Sequence, residues 1–154
     1  VMPTELVDKI RSAGQFNQGF GTVEYMAASY LDMAYHSVTE PITMSGAEFE
    51  KAAMDKIGMI DAIVTRYRTG YFSHAFSSPE GYSAGYYSYL NSEVMDADAF
   101  GAFKENGLFD KETANAYREH ILSKGGTRDA MEMYVKFRGR EPKFEGLLER
   151  RGFN

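Results

Sequence analysis

Apolar residues that return every three or four positions, in runs closed by glycine or proline, are the feature that most limits what this chain can fold into. From Phe16 to Val38 the residues Phe20, Val23, Ala27, Leu31 and Ala34 keep that spacing. Pro41 forbids much continuation, because proline offers no amide and clashes with the preceding turn. The pattern predicts a central core helix. Before it, Leu6, Val7 and Ile10 form a short apolar stripe on a helix that Gly14 is expected to close. After it, Ser45-Gly46-Ala47-Glu48 has capping-box spacing, and Phe49, Ala52, Ala53 and Ile57 then line a third helix that ends near Gly58.

The same reading continues to the end of the chain. Ile60, Ile63, Val64 and Tyr67 fit a further helix, although so short a run is also open to a strand. Ser77-Ser78-Pro79-Glu80-Gly81 breaks any regular pattern, so a loop is expected between Gly70 and Gly81. From Ser83 to about Lys104 a helix would present Tyr87, Leu90, Val94 and Ala97, with Asn106-Gly107 as its stop. Asp110 is expected to cap a helix bearing Ala114, Tyr117 and Ile121, closed by Gly125-Gly126. Thr127 would cap the next, with Ala130, Met133, Tyr134 and Phe137 on its face, and a last short helix after Pro142 would seat Phe144, Leu147 and Leu148. The expected fold class is all-α, with residues 1–154 as a single helical domain free of repeats, low-complexity tracts and internal boundaries.

Composition removes several function classes. A formal charge of -5 and an isoelectric point near 5.2 argue against a nucleic-acid partner, which calls for a basic excess. The one dense cationic stretch, Arg138, Arg140, Lys143, Arg150 and Arg151, is interleaved with Glu141, Glu145 and Glu149 and reads as a solvated helix surface. The absence of cysteine excludes disulfides, thiolate metal sites and cysteine nucleophiles. No apolar run approaches the roughly 20 residues that span a bilayer, so no membrane partner is expected. The opening Val1-Met2-Pro3-Thr4-Glu5 lacks the marks of a secretory signal and reads as an interior helix start, which points to an excised fragment.

The stretch richest in chemistry is Gly81-Tyr82-Ser83-Ala84-Gly85-Tyr86-Tyr87-Ser88-Tyr89-Leu90. On a helix, Tyr82, Tyr86 and Tyr89 would share a face, with Tyr87 turned toward Leu90 and Val94. Three phenols would then line one wall of a cleft. A phenol is a neutral donor at pH 7, suited to a peptide carbonyl or a developing oxyanion, and Ser83, Gly85 and Ser88 leave room for a peptide backbone. The plainer alternative is that these rings only pack. His74, eight residues before Tyr82, would join the wall if the intervening loop brings it back. None of His36, His74 and His120 has a partner at the four-residue spacing of a helical metal site.

Tyr71-Phe72-Ser73-His74 followed by Gly81-Tyr82-x-Ala84-x-Tyr86-Tyr87-x-Tyr89-Leu90 resembles the substrate-binding segment of the thimet oligopeptidase family of zinc peptidases. Two further blocks resemble its bacterial peptidyl-dipeptidase branch. They are Phe16-Asn17-Gln18-Gly19-Phe20 with Thr22-Val23-Glu24-Tyr25, and Phe137-Arg138-Gly139-Arg140-Glu141-Pro142 running to Arg151-Gly152-Phe153. The segment between His74 and Tyr82 is longer and poorer in glycine than the family pattern, and Asn91 stands where tryptophan is common.

The resemblance implies the carboxy-terminal portion of a larger helical zinc peptidase that releases dipeptides from peptide carboxy termini. It implies Tyr89 as the oxyanion donor, Tyr82 and Tyr86 as holders of the substrate, His74 as a ligand of its backbone, and Gly81 and Gly85 as a flexible segment beside them. The family's H-E-x-x-H motif does not occur in this chain, so zinc is expected in the full-length enzyme, with no metal ligand and no activity in these residues alone. Tyr82, Arg66 and Arg68 are candidates for reading a substrate carboxylate. Peptide substrate is the expected partner, a cytoplasmic location is expected unless a signal peptide directs the protein to the periplasm, and exposed apolar faces would favour self-association. The competing expectation is a non-catalytic helical module that binds peptides or a partner protein through its tyrosines.

Overall fold

A computed structural model of the chain describes residues 2–153, and among them there is no β-strand. The elements are helical: α1 (Thr4–Gln15), α2 (Gln18–His36), α3 (Gly46–Lys56), a 3-10 turn (Thr69–Tyr71), α4 (Ser73–Phe76), α5 (Ser88–Asn106), α6 (Lys111–Tyr117) continued by a π-helical turn (Arg118–Leu122), α7 (Ala130–Arg138) and α8 (Glu145–Arg151). The all-α expectation stands. The chain forms two compact units, Val1–Leu90 and Asn91–Asn154.

In the first unit α2 supplies the core. Ala27, Ala28 and Leu31 are fully buried and pack with Met54, Phe72, Ala75 and Tyr86, whereas Phe20 and Val23 of the same predicted stripe are exposed. Helix α1 buries none of its residues, and Leu6 and Ile10 face outward. The capping box of α3 forms: the Glu48 carboxylate accepts from the Ser45 amide at 2.8 Å, and the Glu48 amide donates to Ser45 Oγ at 3.3 Å. Its buried face, however, is Glu50 and Met54, while Ala52 and Ile57 are exposed. A carboxylate points inward because Arg68 Nε, the Thr69 amide at 2.9 Å and Thr69 Oγ1 at 3.1 Å all donate to Glu50. Hydrophobic periodicity cannot register such a residue.

The helix expected over residues 60–67 is absent. Gly58 takes a left-handed conformation (φ 70°) and ends α3, and only Ile63 and Thr65 of the following stretch are inside. Of the loop expected between Gly70 and Gly81, residues 77–81 are irregular as expected, whereas the 3-10 turn and α4 occupy most of the stretch before them. The helix expected from Ser83 begins only at Ser88, so residues 82–87 are turns.

In the second unit Asp110 caps α6 as expected, accepting from the Thr113 amide at 2.7 Å, and Gly125 (φ 50°) lies in the turns after the π segment. Helix α7 is capped by Asp129, not Thr127, whose hydroxyl donates back to the Lys124 carbonyl at 2.7 Å. Met133, Tyr134 and Leu147 are buried, whereas Phe144 is exposed. The arginines read as a solvated surface are largely paired with α5. Arg140 forms two 2.8 Å bonds to Asp98, Arg150 reaches Asp96 at 2.7 Å, and Arg138 and Arg151 take Glu105 and Glu93. Burial opposes ionisation of Asp98, but hydrogen bonds from Arg140 and Tyr134 outweigh it and hold the carboxyl below its ordinary value. Among the described residues no helix is long and apolar enough to cross a membrane.

Candidate functional site

The tyrosines converge, though not by the route their spacing implied. Residues 82–87 wind through turns, with Ala84 in the left-handed region (φ 54°). Tyr86 is therefore turned inward, 3% exposed, and Tyr87 outward, 54% exposed, the reverse of the helical expectation for Tyr87. Four ties hold the segment. The Tyr82 amide donates to the His74 carbonyl at 3.1 Å, Ser83 Oγ to the Ala75 carbonyl at 2.9 Å, and the Ala84 and Tyr86 amides to the Asp32 carboxylate at 3.0 and 2.9 Å. The chain folds back closely at Gly81, where a Cβ would crowd the carbonyl oxygens of His74 and Ser78 at 3.1 Å.

The product is an aromatic cluster with a buried base and an open edge. Phe72, 1% exposed, has ring centroids of His74, Tyr67 and Tyr86 within 5.2–5.3 Å. Tyr86 lies over it and is flanked by Tyr67 at 5.8 Å, Tyr25 at 6.1 Å, His74 at 5.5 Å and Tyr89 at 5.1 Å. Above Tyr86, the exposed rings of Tyr82 and Tyr89 stack at 5.4 Å, and His74 is 5.8 Å from Tyr82. The structure thus brings His74, Tyr82, Tyr86 and Tyr89 together, with Gly81 and Gly85 in the segment that carries them.

The phenols are held as donors. A hydrogen bond with Tyr82, then partial burial, push the Tyr89 hydroxyl up to about 12, and burial raises Tyr86 as well. Tyr89 accordingly carries its proton throughout the neutral and moderately alkaline range. At the cluster's edge the Arg66 guanidinium sits 5.6 Å from the Tyr25 centroid and 5.5 Å from that of Tyr67, in cation–π range. Arg68, the other arginine candidate, is spent on Glu50.

Sequence reasoning missed Tyr25, Tyr67 and Phe72 as members of the cluster, and missed Asp32 as its anchor. Asp32 did leave a signal: a carboxylate directly after Leu31 and four residues from Ala28, inside the apolar stripe of α2. Among the described residues no group of three or more His, Asp or Glu is placed to hold a metal ion. His36 Nδ1 lies 2.8 Å from Asp32 Oδ1, and His74 is enclosed by rings. These residues do not fit a zinc site.

Comparison with known proteins places the chain in a family. Residues 1–153 match the family described as Peptidase family M3. The chain is 39% identical over 155 residues to the dipeptidyl carboxypeptidase of Escherichia coli (strain K12), covering 99% of this chain and 22% of that protein. It is 36% identical over 155 residues to the protein of that name from Salmonella typhimurium, with 99% and 22% covered. Against oligopeptidase A of Escherichia coli it is 36% identical over 153 residues, with 98% and 22% covered. The chain thus spans about a fifth of the length of these relatives. On the match over 153 residues, the chain belongs to peptidase family M3.

Proposed function

We propose that these residues form the substrate-binding wall of a zinc-dependent peptidyl-dipeptidase, an enzyme that releases dipeptides from the carboxy termini of peptides. The observation that carries this reading is the exposed, stacked Tyr82–Tyr89 pair above buried Tyr86, with His74 beside it. A phenol kept neutral well above pH 7 donates its O–H to the oxygen of a scissile carbonyl and strengthens that bond as the oxygen gains charge, which lowers the barrier selectively. That role falls to Tyr89. Tyr82 holds the substrate on its carboxy-terminal side, with buried Tyr86 supporting it from beneath, His74 hydrogen-bonds its backbone, and the turn containing Gly81 and Gly85 adjusts around it.

Zinc in such an enzyme supplies an activated water, and its ligands lie outside these residues, so no hydrolytic step is assigned to them beyond binding, orientation and hydrogen-bond donation. These residues by themselves are inactive in this reading. Dipeptide release requires recognition of a free carboxylate. Arg66, fixed between two rings and without a carboxylate partner among the described residues, is the better placed of the two arginines for it. Relatives bearing the name dipeptidyl carboxypeptidase support this branch at 39% and 36% identity. The working compartment is the cytoplasm, or the periplasm where a signal peptide directs the protein there.

A second reading, a helical module that binds peptides or a partner protein without catalysis, draws on the exposed apolar side chains Leu6, Ile10 and Phe16. The same faces would support self-association of the isolated chain. The readings separate on the full-length product. A peptidyl-dipeptidase contains about one zinc per chain and converts a free-acid peptide stepwise into dipeptides from its carboxy terminus. Internal cleavage without dipeptide release would overturn the branch, and a metal-free product that binds peptide without cleaving it would establish the second reading.

A further inference from the structure

We propose that Asp32 is a positioning residue of the site: its carboxylate holds the turn that carries Tyr82 and Tyr86 and delivers Tyr89 at the start of α5. The proposal rests on the reading of Tyr89 as an oxyanion donor. Asp32 is fully buried on α2. Oδ1 accepts from the Ala84 amide at 3.0 Å and lies 2.8 Å from His36 Nδ1, and Oδ2 accepts from the Tyr86 amide at 2.9 Å. Both oxygens are occupied. The two amides lie 52 and 54 residues from Asp32 in sequence, so this one side chain fastens the tyrosine turn to the core helix.

The turn needs such a fastening. Ala84 has a positive φ, a conformation disfavoured for a residue with a Cβ, which persists when its surroundings over-determine it. The adjoining glycines, Gly81 and Gly85, have no positive φ, so the strain falls on the residue whose amide Asp32 holds. Amides 84 and 86 converge on a single carboxylate, the kind of concave arrangement of backbone donors that favours an anion. On the far side of Asp32, His36 Nδ1 is also 2.9 Å from the Asp32 carbonyl, and its ring stacks on Phe76 of α4 at 5.6 Å. Asp32 thus links the His74 helix, the core helix and the tyrosine turn. Losing the carboxylate would free Ala84 to leave its left-handed conformation, and the Tyr86 ring, 5.1 Å from Tyr89, would lose its seat.

The test is a double-mutant cycle in the full-length peptidase. Asp32→Asn keeps the size of the side chain but replaces an acceptor with an amide donor that faces backbone N–H groups. Misplacement of a reacting group by about 1 Å costs on the order of 10²-fold, so folded Asp32→Asn is expected to lose about 10- to 100-fold in kcat. In a Tyr89→Phe background the same change is expected to cost no more than about threefold, because there is no longer a hydroxyl to misplace. A purely structural role would lower yield and melting temperature yet leave kcat of the folded fraction intact, or give losses that multiply. Either result overturns the proposal.

Hydrogen exchange on the unsubstituted full-length protein supplies the independent arm, and it does not depend on the variant folding. Amides of Ala84 and Tyr86 are expected to be protected as strongly as those of the α2 core, and His36→Ala is expected to reduce that protection at least tenfold. Rapid exchange at both amides overturns the positioning role whatever Tyr89 does. Protected amides together with a Tyr89→Phe enzyme of normal turnover would instead leave the fastening intact and overturn the oxyanion reading.

Discussion

Substituting Tyr86 and Tyr87 separately by alanine distinguishes the turn seen here from the helix that the spacing implies. Tyr86 is 3% exposed and touches four other aromatic side chains with ring centroids at 5.1–5.8 Å, and Tyr25 at 6.1 Å. A buried aromatic removes about 150–250 Å² from water, which at about 25 cal/mol per Å² is about 4–6 kcal/mol. Residual compactness of the denatured chain lowers this by about 10–40%. The expected loss for Tyr86→Ala is therefore about 3–5 kcal/mol, the range found for aromatic-to-alanine changes in cores. Tyr87 is more than half exposed, and its replacement is expected to cost less than about 1 kcal/mol. Urea denaturation followed by far-ultraviolet circular dichroism measures both, provided the dependence on denaturant is unchanged. Equal losses, or a larger loss at Tyr87, would refute the turn and restore the helical face.

Other outcomes follow from the same geometry. In the full-length enzyme Arg66→Gln is expected to raise KM for a free-acid peptide by about tenfold or more and to leave the carboxy-terminally amidated peptide unaffected, as steady-state comparison of the two substrates would show. Asp98 is held below its ordinary value, so by linkage its stabilisation is present above about pH 4 and is lost as pH falls through the depressed folded value. Asp98→Asn should flatten that acid limb in denaturation measured from pH 6 to pH 2. Ser45→Ala breaks the capping box of α3 and is expected to cost about 1 kcal/mol in urea denaturation.

How much of this was legible depended on what each residue does. Capping and termination are local, and they were read correctly at Ser45–Glu48, Asp110 and Gly58. The apolar stripe of α2 was legible at Ala27 and Leu31 because a core helix repeats its burial. What failed was decided by partners distant in sequence. Glu50 and Asp98 are charged yet buried, because arginines and amides far along the chain satisfy them. Residues 60–67 have helical spacing but bury only Ile63, Thr65 and part of Tyr67, and the Thr65 hydroxyl donates to the Tyr67 carbonyl at 3.1 Å. At the site, the grouping of Tyr82, Tyr86 and Tyr89 was anticipated for an incorrect reason. Their rings meet because Asp32 and α4 pin a turn, and a three-and-four spacing alone would also have turned Tyr87 toward the apolar side.

The central claim is that the tyrosine wall takes part in the reaction and is not only packed. Steady-state kinetics of Tyr89→Phe in the full-length peptidase tests it most directly, since the change removes one hydroxyl and keeps the ring that stacks on Tyr82. The account predicts a kcat lower by about 10²-fold, with KM within a few-fold of the unsubstituted enzyme and an unchanged circular dichroism spectrum. A folded Tyr89→Phe enzyme that retains kcat within about threefold would contradict it.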